Sequence, residues 1–182
     1  QIEKIIKFTK VTHIDSHVHV HAIPNYFEIT CKLAKEYGIE YIRTQFEKPY
    51  YVKGKVLKPC YPVNMAKVVL LNSFTLNNKK VAEKYGLKTN DYIIGVGYTG
   101  LMDENAVYYG LEALPNEDLV AEALIHPCYY TENIVNSHST EFLITIDKNL
   151  EDKIKRMGYE ITNYKQLWKN MLKHYLYPLY YS

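Results

Sequence analysis

Between Thr12 and Ala22 the chain reads Thr-His-Ile-Asp-Ser-His-Val-His-Val-His-Ala, with His13, Asp15, His17, His19 and His21 on odd positions and Ile14, Val18 and Val20 on even ones. Successive side chains of a β-strand point to opposite faces. The alternation therefore predicts a strand with one apolar face and one face carrying four imidazoles and a carboxylate. Imidazole and carboxylate are ligands of divalent metals, and an i, i+2 pair can converge on one ion at a strand end. At a rise of roughly 3.3 Å per residue, His13 and His21 are too far apart to share it. The expected metal site is centred on Asp15, His17 and His19, with His17 innermost. The alternative is a polar strand face open to water, with some imidazoles bonded to backbone.

Two further residues have the chemistry for a reaction. Arg43 ends an expected short strand, Glu40-Tyr41-Ile42-Arg43, and precedes a long segment without clear period. A guanidinium there could bind a carboxylate, orient a catalytic Asp or hold a substrate oxygen; a rim salt bridge is the plainer alternative. His126-Pro127 follows the apolar run ending at Ile125. Its imidazole is expected at the mouth of a sheet, as a proton donor or as a satisfied structural histidine. Cys128 reads as a packed residue rather than a nucleophile, because no base is fixed beside it. Gly95-Val96-Gly97 with Gly100 departs from the dinucleotide-binding spacing and reads as a turn.

The elements that must position these residues alternate. An opening amphipathic helix is expected to end near Lys10, and the imidazole strand follows. Pro24 opens a helix whose stripe of Phe27, Cys31, Leu33, Ala34 and Tyr37 closes at Gly38. A strand is expected at 40–43, then a long loop or lid from Thr44 to Tyr61. Helices are predicted at Met65–Phe74 and Lys79–Tyr85, and a strand at Tyr92–Val96. Asp103 should cap a helix running to about Leu114. A strand at 120–125, a loop over 129–139, helices at Leu150–Met157 and Tyr164–His174, and a strand at Tyr159–Thr162 complete the reading. Strand and helix alternate about five times, which predicts a parallel sheet, doubly wound or closed into a barrel. In either design function sits beyond the carboxyl ends of the strands, where His17 to His21, Arg43 and His126 fall.

Bulk properties narrow the class. A chain of 182 residues with 47% hydrophobic and 23% charged residues suits one globular domain with a substantial core. A formal net charge of only +2 gives no electrostatic footprint for nucleic acid. No apolar run is long enough to span a bilayer, and no secretory signal is visible. Three cysteines without Cys-x-x-Cys spacing indicate neither a disulfide framework nor a thiolate zinc site, so a reducing, cytoplasmic setting is the expectation. The chain opens with Gln1 inside an apparent helix, which suggests that something upstream is missing.

With these residues in view, the chain resembles the YdjC-like carbohydrate deacetylases. The resemblance rests on Thr12-His13-Ile14-Asp15-Ser16-His17-x-His19-Val20-His21 with Pro24 after it. Ile42-Arg43, His126-Pro127, Glu141 in an Arg-x-x-Glu-like segment, and Gly158-Tyr159 with a closing Tyr164 follow. It implies an α/β fold, a TIM-like incomplete (β/α) barrel forming a single partial domain over 1–182. It also implies a divalent ion, Mg2+ or Zn2+, and removal of N-acetyl groups from amino sugars or chitooligosaccharides. On this resemblance His17 stands at the metal, His126 near the leaving group and Arg43 in the pocket; the spacing of the segment itself adds His19 as a metal ligand beside His17 and Asp15 among the catalytic groups. The family's Ala-Asp-Asp-Phe-Gly strand and its Gly-x-His-Leu string are not in this chain, and His138 stands where an Arg is usual. The chain thus looks like the C-terminal two-thirds of such an enzyme, weak or inactive alone. An unclosed barrel would expose a sheet edge that invites homodimerisation. Two other readings are an amidohydrolase-like barrel hydrolase, in which a His-x-His pair ends the first strand, and a non-catalytic carbohydrate-binding remnant.

Overall fold

The computed structural model describes residues 1–128 and 136–167. Helix α1 (Ile2–Ile5) is shorter than its apolar pattern suggests. It is followed by β1 (His13–Ile14), a 3-10 segment (His17–Ala22), α2 (Pro24–Glu36), β2 (Tyr41–Ile42) and α3 (Tyr61–Lys84). Then come β3 (Tyr92–Ile94), α4 (Glu104–Glu112), β4 (Ala121–Ala123), α5 (Ser137–Ile144) and α6 (Lys148–Arg156). The strands are short and all their pairings are parallel. β1 pairs with β2 through His13–Tyr41 and Ile14–Ile42, and β3 pairs with β4 in the register Tyr92–Ala121, Ile93–Glu122 and Ile94–Ala123. A parallel bridge between Tyr41 and Lys88 and a bond from Ile93 N to Phe46 O of 3.0 Å or less (2.8 Å) tie the two pairs together. The result is a mixed α/β fold whose strand ends point the same way.

Local sequence explains most of the helices. In α2, Pro24 occupies the first turn, and Phe27, Cys31 and Ala34 are buried at helical spacing. Gly38, at φ +67°, turns the chain out of the helix, and Ile39 N reaches back to Ala34 O at 2.8 Å. The Asp103 carboxylate accepts the N–H of Ala106 and caps α4 as expected. Helix α5 starts in a capping box between Asn136 and Ser139, a start the sequence reading missed. Residues 159–162, expected as a strand, form none, and the predicted helix 164–174 runs out of the described residues after Leu167.

Helix α3 departs from expectation most usefully. Two helices are expected, at Met65–Phe74 and Lys79–Tyr85, yet Tyr61–Lys84 form one helix. Its buried face is Asn64, Val68, Leu71, Thr75, Asn78 and Ala82, a repeat of four and three residues that includes three polar side chains. Each of these bonds outward to the neighbouring loops. Asn64 Nδ2 donates to Thr99 O, Thr75 Oγ1 accepts Gln45 N, and Asn78 Nδ2 donates to Ala22 O. Asn72, further round the helix, exchanges two bonds with the backbone of Glu47. These residues serve the backbone of the strand ends, so they do not break the helix.

The segment after β2, expected as a loop or lid, is pinned along much of its length to the segment around and after β3. Thr44 N donates to Asn90 Oδ1 at 2.7 Å. Both carboxyl oxygens of Glu47 accept backbone N–H groups, from Gly95 and Gly97, each at 3.0 Å. Val52 N donates to the Tyr98 hydroxyl, and Lys55 pairs with Asp103. The partners are separated by 46 to 50 residues throughout, so the two stretches run side by side in the same direction. Val52 and Tyr98 belong to the core cluster that also holds Ile94, Ala106, Val107 and Leu150. A second cluster, with Phe27, Cys31, Ile39, Ile42 and Leu87, lies under β1 and β2.

Candidate functional site

The imidazole segment does not continue as a strand. After Ile14 the chain turns into the 3-10 segment, in which Val18 (φ 58°, ψ 19°) and His19 (φ 61°, ψ 21°) adopt left-handed backbone conformations. Such conformations cost an L-residue roughly 1–2 kcal/mol each, and a β-branched Val there is an outlier. Ser16 Oγ holds the turn, accepting His21 N at 2.9 Å and lying 2.7 Å from His21 Nδ1. With Nδ1 facing that hydroxyl, His21 Nε2 donates to Arg43 O at 3.0 Å. These contacts override the period-two pattern and give the imidazoles unequal burial. His21 is buried and structural, His19 half-buried, and His17, expected innermost, is exposed. His13 stacks on Tyr164 with ring centroids 4.1 Å apart.

His19 has the electrostatics of a ligand. Burial, reinforced by the nearby His21, Arg43, Lys67 and His126, lowers its pKa to about 4, so the ring is neutral at ordinary pH. Its Nδ1 is buried with no hydrogen-bond partner among the described residues. A neutral imidazole with an unused lone pair suits a divalent ion. Among the described residues, however, no group of three His, Cys, Asp or Glu side chains is arranged to hold one.

Arg43, directly after β2, is clamped. Its Nη1 lies 2.5 Å from Asp15 Oδ2, and its Nη2 pairs with Glu122 Oε1. Glu122 also accepts the Tyr164 hydroxyl at 2.6 Å. Burial works against the guanidinium's charge, but the two carboxylates prevail and hold its pKa above the ordinary value. The Tyr164 phenol is pushed up by burial and by Glu122. The structure thus sets Arg43 as a shared cation between two carboxylates, Asp15 and Glu122. Glu122 was missed, although an acid between two alanines in an otherwise apolar strand is a visible signal. Cavities of about 350 and 880 Å³ reach this cluster from the side of Tyr164 and Glu122, and neither is lined by His17, His19 or His126.

His126 lies three residues past β4, with its side chain 40% exposed. Glu141 of α5 is wholly buried behind it. One of its carboxyl oxygens accepts the His126 backbone N–H and lies 3.3 Å from the imidazole Nδ1. The positive charges of Arg43 and His126 both contribute to lowering the His19 pKa, and the three residues follow β1, β2 and β4.

A family model described as YdjC-like protein matches residues 1–158. The chain belongs to the YdjC-like family. Over 40 residues it is 52% identical to a carbohydrate deacetylase of Clostridium beijerinckii, a stretch covering 21% of this chain and 16% of that protein. Its fold is similar to a crystal structure from Enterococcus faecalis assigned to cellobiose-phosphate cleavage. The TM-score is 0.59 at 18% identity, over 91% of this chain and 56% of the other. The chain therefore spans little more than half of that relative's length. No helix among the described residues is long and apolar enough to cross a membrane.

Proposed function

We propose that the chain carries the site of a metal-dependent hydrolase that removes N-acetyl groups from amino sugars such as chitooligosaccharides, built on a TIM-like incomplete barrel. What supports this reading is a half-buried, neutral His19, an Arg43 clamped by two carboxylates and a half-exposed His126 backed by Glu141, each in a segment that follows a parallel strand. The kinship with a carbohydrate deacetylase supports it. His17 and His19 would hold the ion, Mg2+ or Zn2+, which when bound polarises a carbonyl and lowers the pKa of water. His126, open to solvent on one side, protonates the departing amine; an amide needs such an acid because an unprotonated amine leaves poorly. Arg43 keeps the Asp15 carboxylate turned to the site.

The test is acetate release from N-acetylated chitooligosaccharides by chelator-treated protein, with and without restored Mg2+ or Zn2+. Release that depends on the metal, and that His126→Ala lowers without changing metal content, is the expected result. Metal binding without acetate release from any acetylated amino sugar would overturn the reading.

A further inference from the structure

Glu141 is spent oddly for a buried acid. Its Oε2 takes the His126 N–H and faces His126 Nδ1 at 3.3 Å, while its Oε1 is buried with no partner among the described residues. An unused buried acceptor costs about 1–3 kcal/mol, so stability alone does not account for a carboxyl group at this place. The backbone of residue 126 is held at both polar groups from one helix. Glu141 takes its N–H, and His138 Nδ1 lies 2.8 Å from its carbonyl oxygen. Both side chains come from α5, which follows β4 and has no strand of its own. A carboxyl oxygen against Nδ1 favours a hydrogen on that nitrogen and leaves Nε2 as the outward, reactive one.

We propose that Glu141 is a positioning residue. It selects the Nδ1–H tautomer of His126 and aims Nε2 into the proposed site, while His138 fixes the main chain that carries the ring. Glu141 itself touches no substrate. The catalytic meaning of this arrangement rests on the deacetylase reading; the tautomer does not.

Two measurements separate them. Long-range 15N–1H correlation spectra of the imidazoles in the full chain, assigned with His126→Gln, report the tautomer without any substrate. Neutral His126 should carry its hydrogen on Nδ1, against the Nε2–H preference of free histidine. Glu141→Met removes the acceptor at similar length and should move the tautomer toward Nε2–H. It should also lower kcat for acetate release about 10- to 100-fold with KM little changed. Glu141→Gln, which can still accept from Nδ1–H, should restore the tautomer and most of the rate. A wild-type ring with its hydrogen on Nε2 overturns the proposal, even if Glu141→Met does not fold. So does a folded Glu141→Met protein with unchanged tautomer and kcat. The expected tautomer in a protein that releases no acetate would sustain the positioning role and overturn the deacetylase reading instead.

Discussion

Arg43 is gripped on two sides, by Asp15 and by Glu122, and Tyr164 closes the far side of Glu122. His126 is gripped on one side, by Glu141, and its ring is 40% exposed, against 12% for the Arg43 side chain. Both groups end up just past parallel strands, and both depend on a carboxylate that a different element supplies. The difference lies in what is left over. Two of the guanidinium's three nitrogens are committed to carboxylates, and the third, Nε, is buried without a partner among the described residues, so Arg43 can orient but has little left to offer a ligand. The imidazole faces Glu141 through Nδ1, and its second nitrogen has no partner among the described residues. An enzyme site needs both kinds of group, and counting a side chain's occupied donors tells them apart more reliably than its distance from a strand end.

The sharpest way to break this comparison is to delete the open member. His126→Ala should lower kcat for acetate release by ~10²–10⁴-fold while the fold and metal content stay as they were. A large drop in thermal midpoint would place His126 with the structural groups. Deleting the closed member should do the opposite. Arg43→Ala leaves Asp15 and Glu122 without their shared cation, and urea denaturation should register a loss of about 3 kcal/mol. Arg43→Lys should lose less, because one charge survives but cannot serve both carboxylates in the same geometry. If Arg43→Ala unfolds at the wild-type denaturant concentration, the clamp is ornamental.

Glu47 supplies a third kind of anchor, a buried carboxyl that binds only backbone amides. Burial pushes its pKa from 4.5 up to about 7, against the pull of the Gly95, Val96 and Gly97 amides. The folded state therefore favours the protonated group. Its contribution is fully present below about pH 4.5 and is lost as pH rises through about 7. Denaturation across that window should show wild type losing about 3 kcal/mol relative to Glu47→Gln. A pH-independent difference would show that the amides keep the group ionised. The smallest expected effect concerns the strap that presents His17 and His19. Val18 is left-handed and 68% exposed, so Val18→Gly should raise stability by about 0.5–1 kcal/mol, the relief of strain net of the entropy that glycine adds to the unfolded chain. A higher melting temperature with weaker metal binding would mean that the strain holds the imidazoles in place.

Legibility in the sequence followed the range of the interactions. Helix α2, with its Pro24 start and Gly38 stop, and the Asp103 cap of α4 were readable because each signal lies within a few residues of what it controls. The parallel alternation of strands and helices was also readable, although the strands are two or three residues long where longer ones were expected. The imidazole strand was misread because Ser16 and Arg43 O bind His21 and turn the chain, and neither contact is implied by alternation. Helix α3 reads as two helices in the sequence, and the polar side chains on its buried face find their partners only in distant backbone. For the site, Asp15 and Arg43 were named separately, and their pairing came only with the fold. Glu122 and the role of Glu141 depend on contacts 79 and 15 residues away in sequence, which no local pattern encodes.

The side-by-side run of the segments 44–55 and 90–103 has a consequence for synthesis. Every bond in it joins residues 46 to 50 positions apart, so on a growing polypeptide none can form until the later partner has been made. At roughly 5–20 residues per second the earlier segment waits about 2–10 s for its partner. During that time Glu47 is hydrated and the hydroxyl that will hold the backbone at Val52 does not yet exist. The pairing then closes from its first-made end, Thr44 with Asn90, and each bond shortens the loop that the next must close. A pause in translation before residue 90 would lengthen the exposure of the whole stretch.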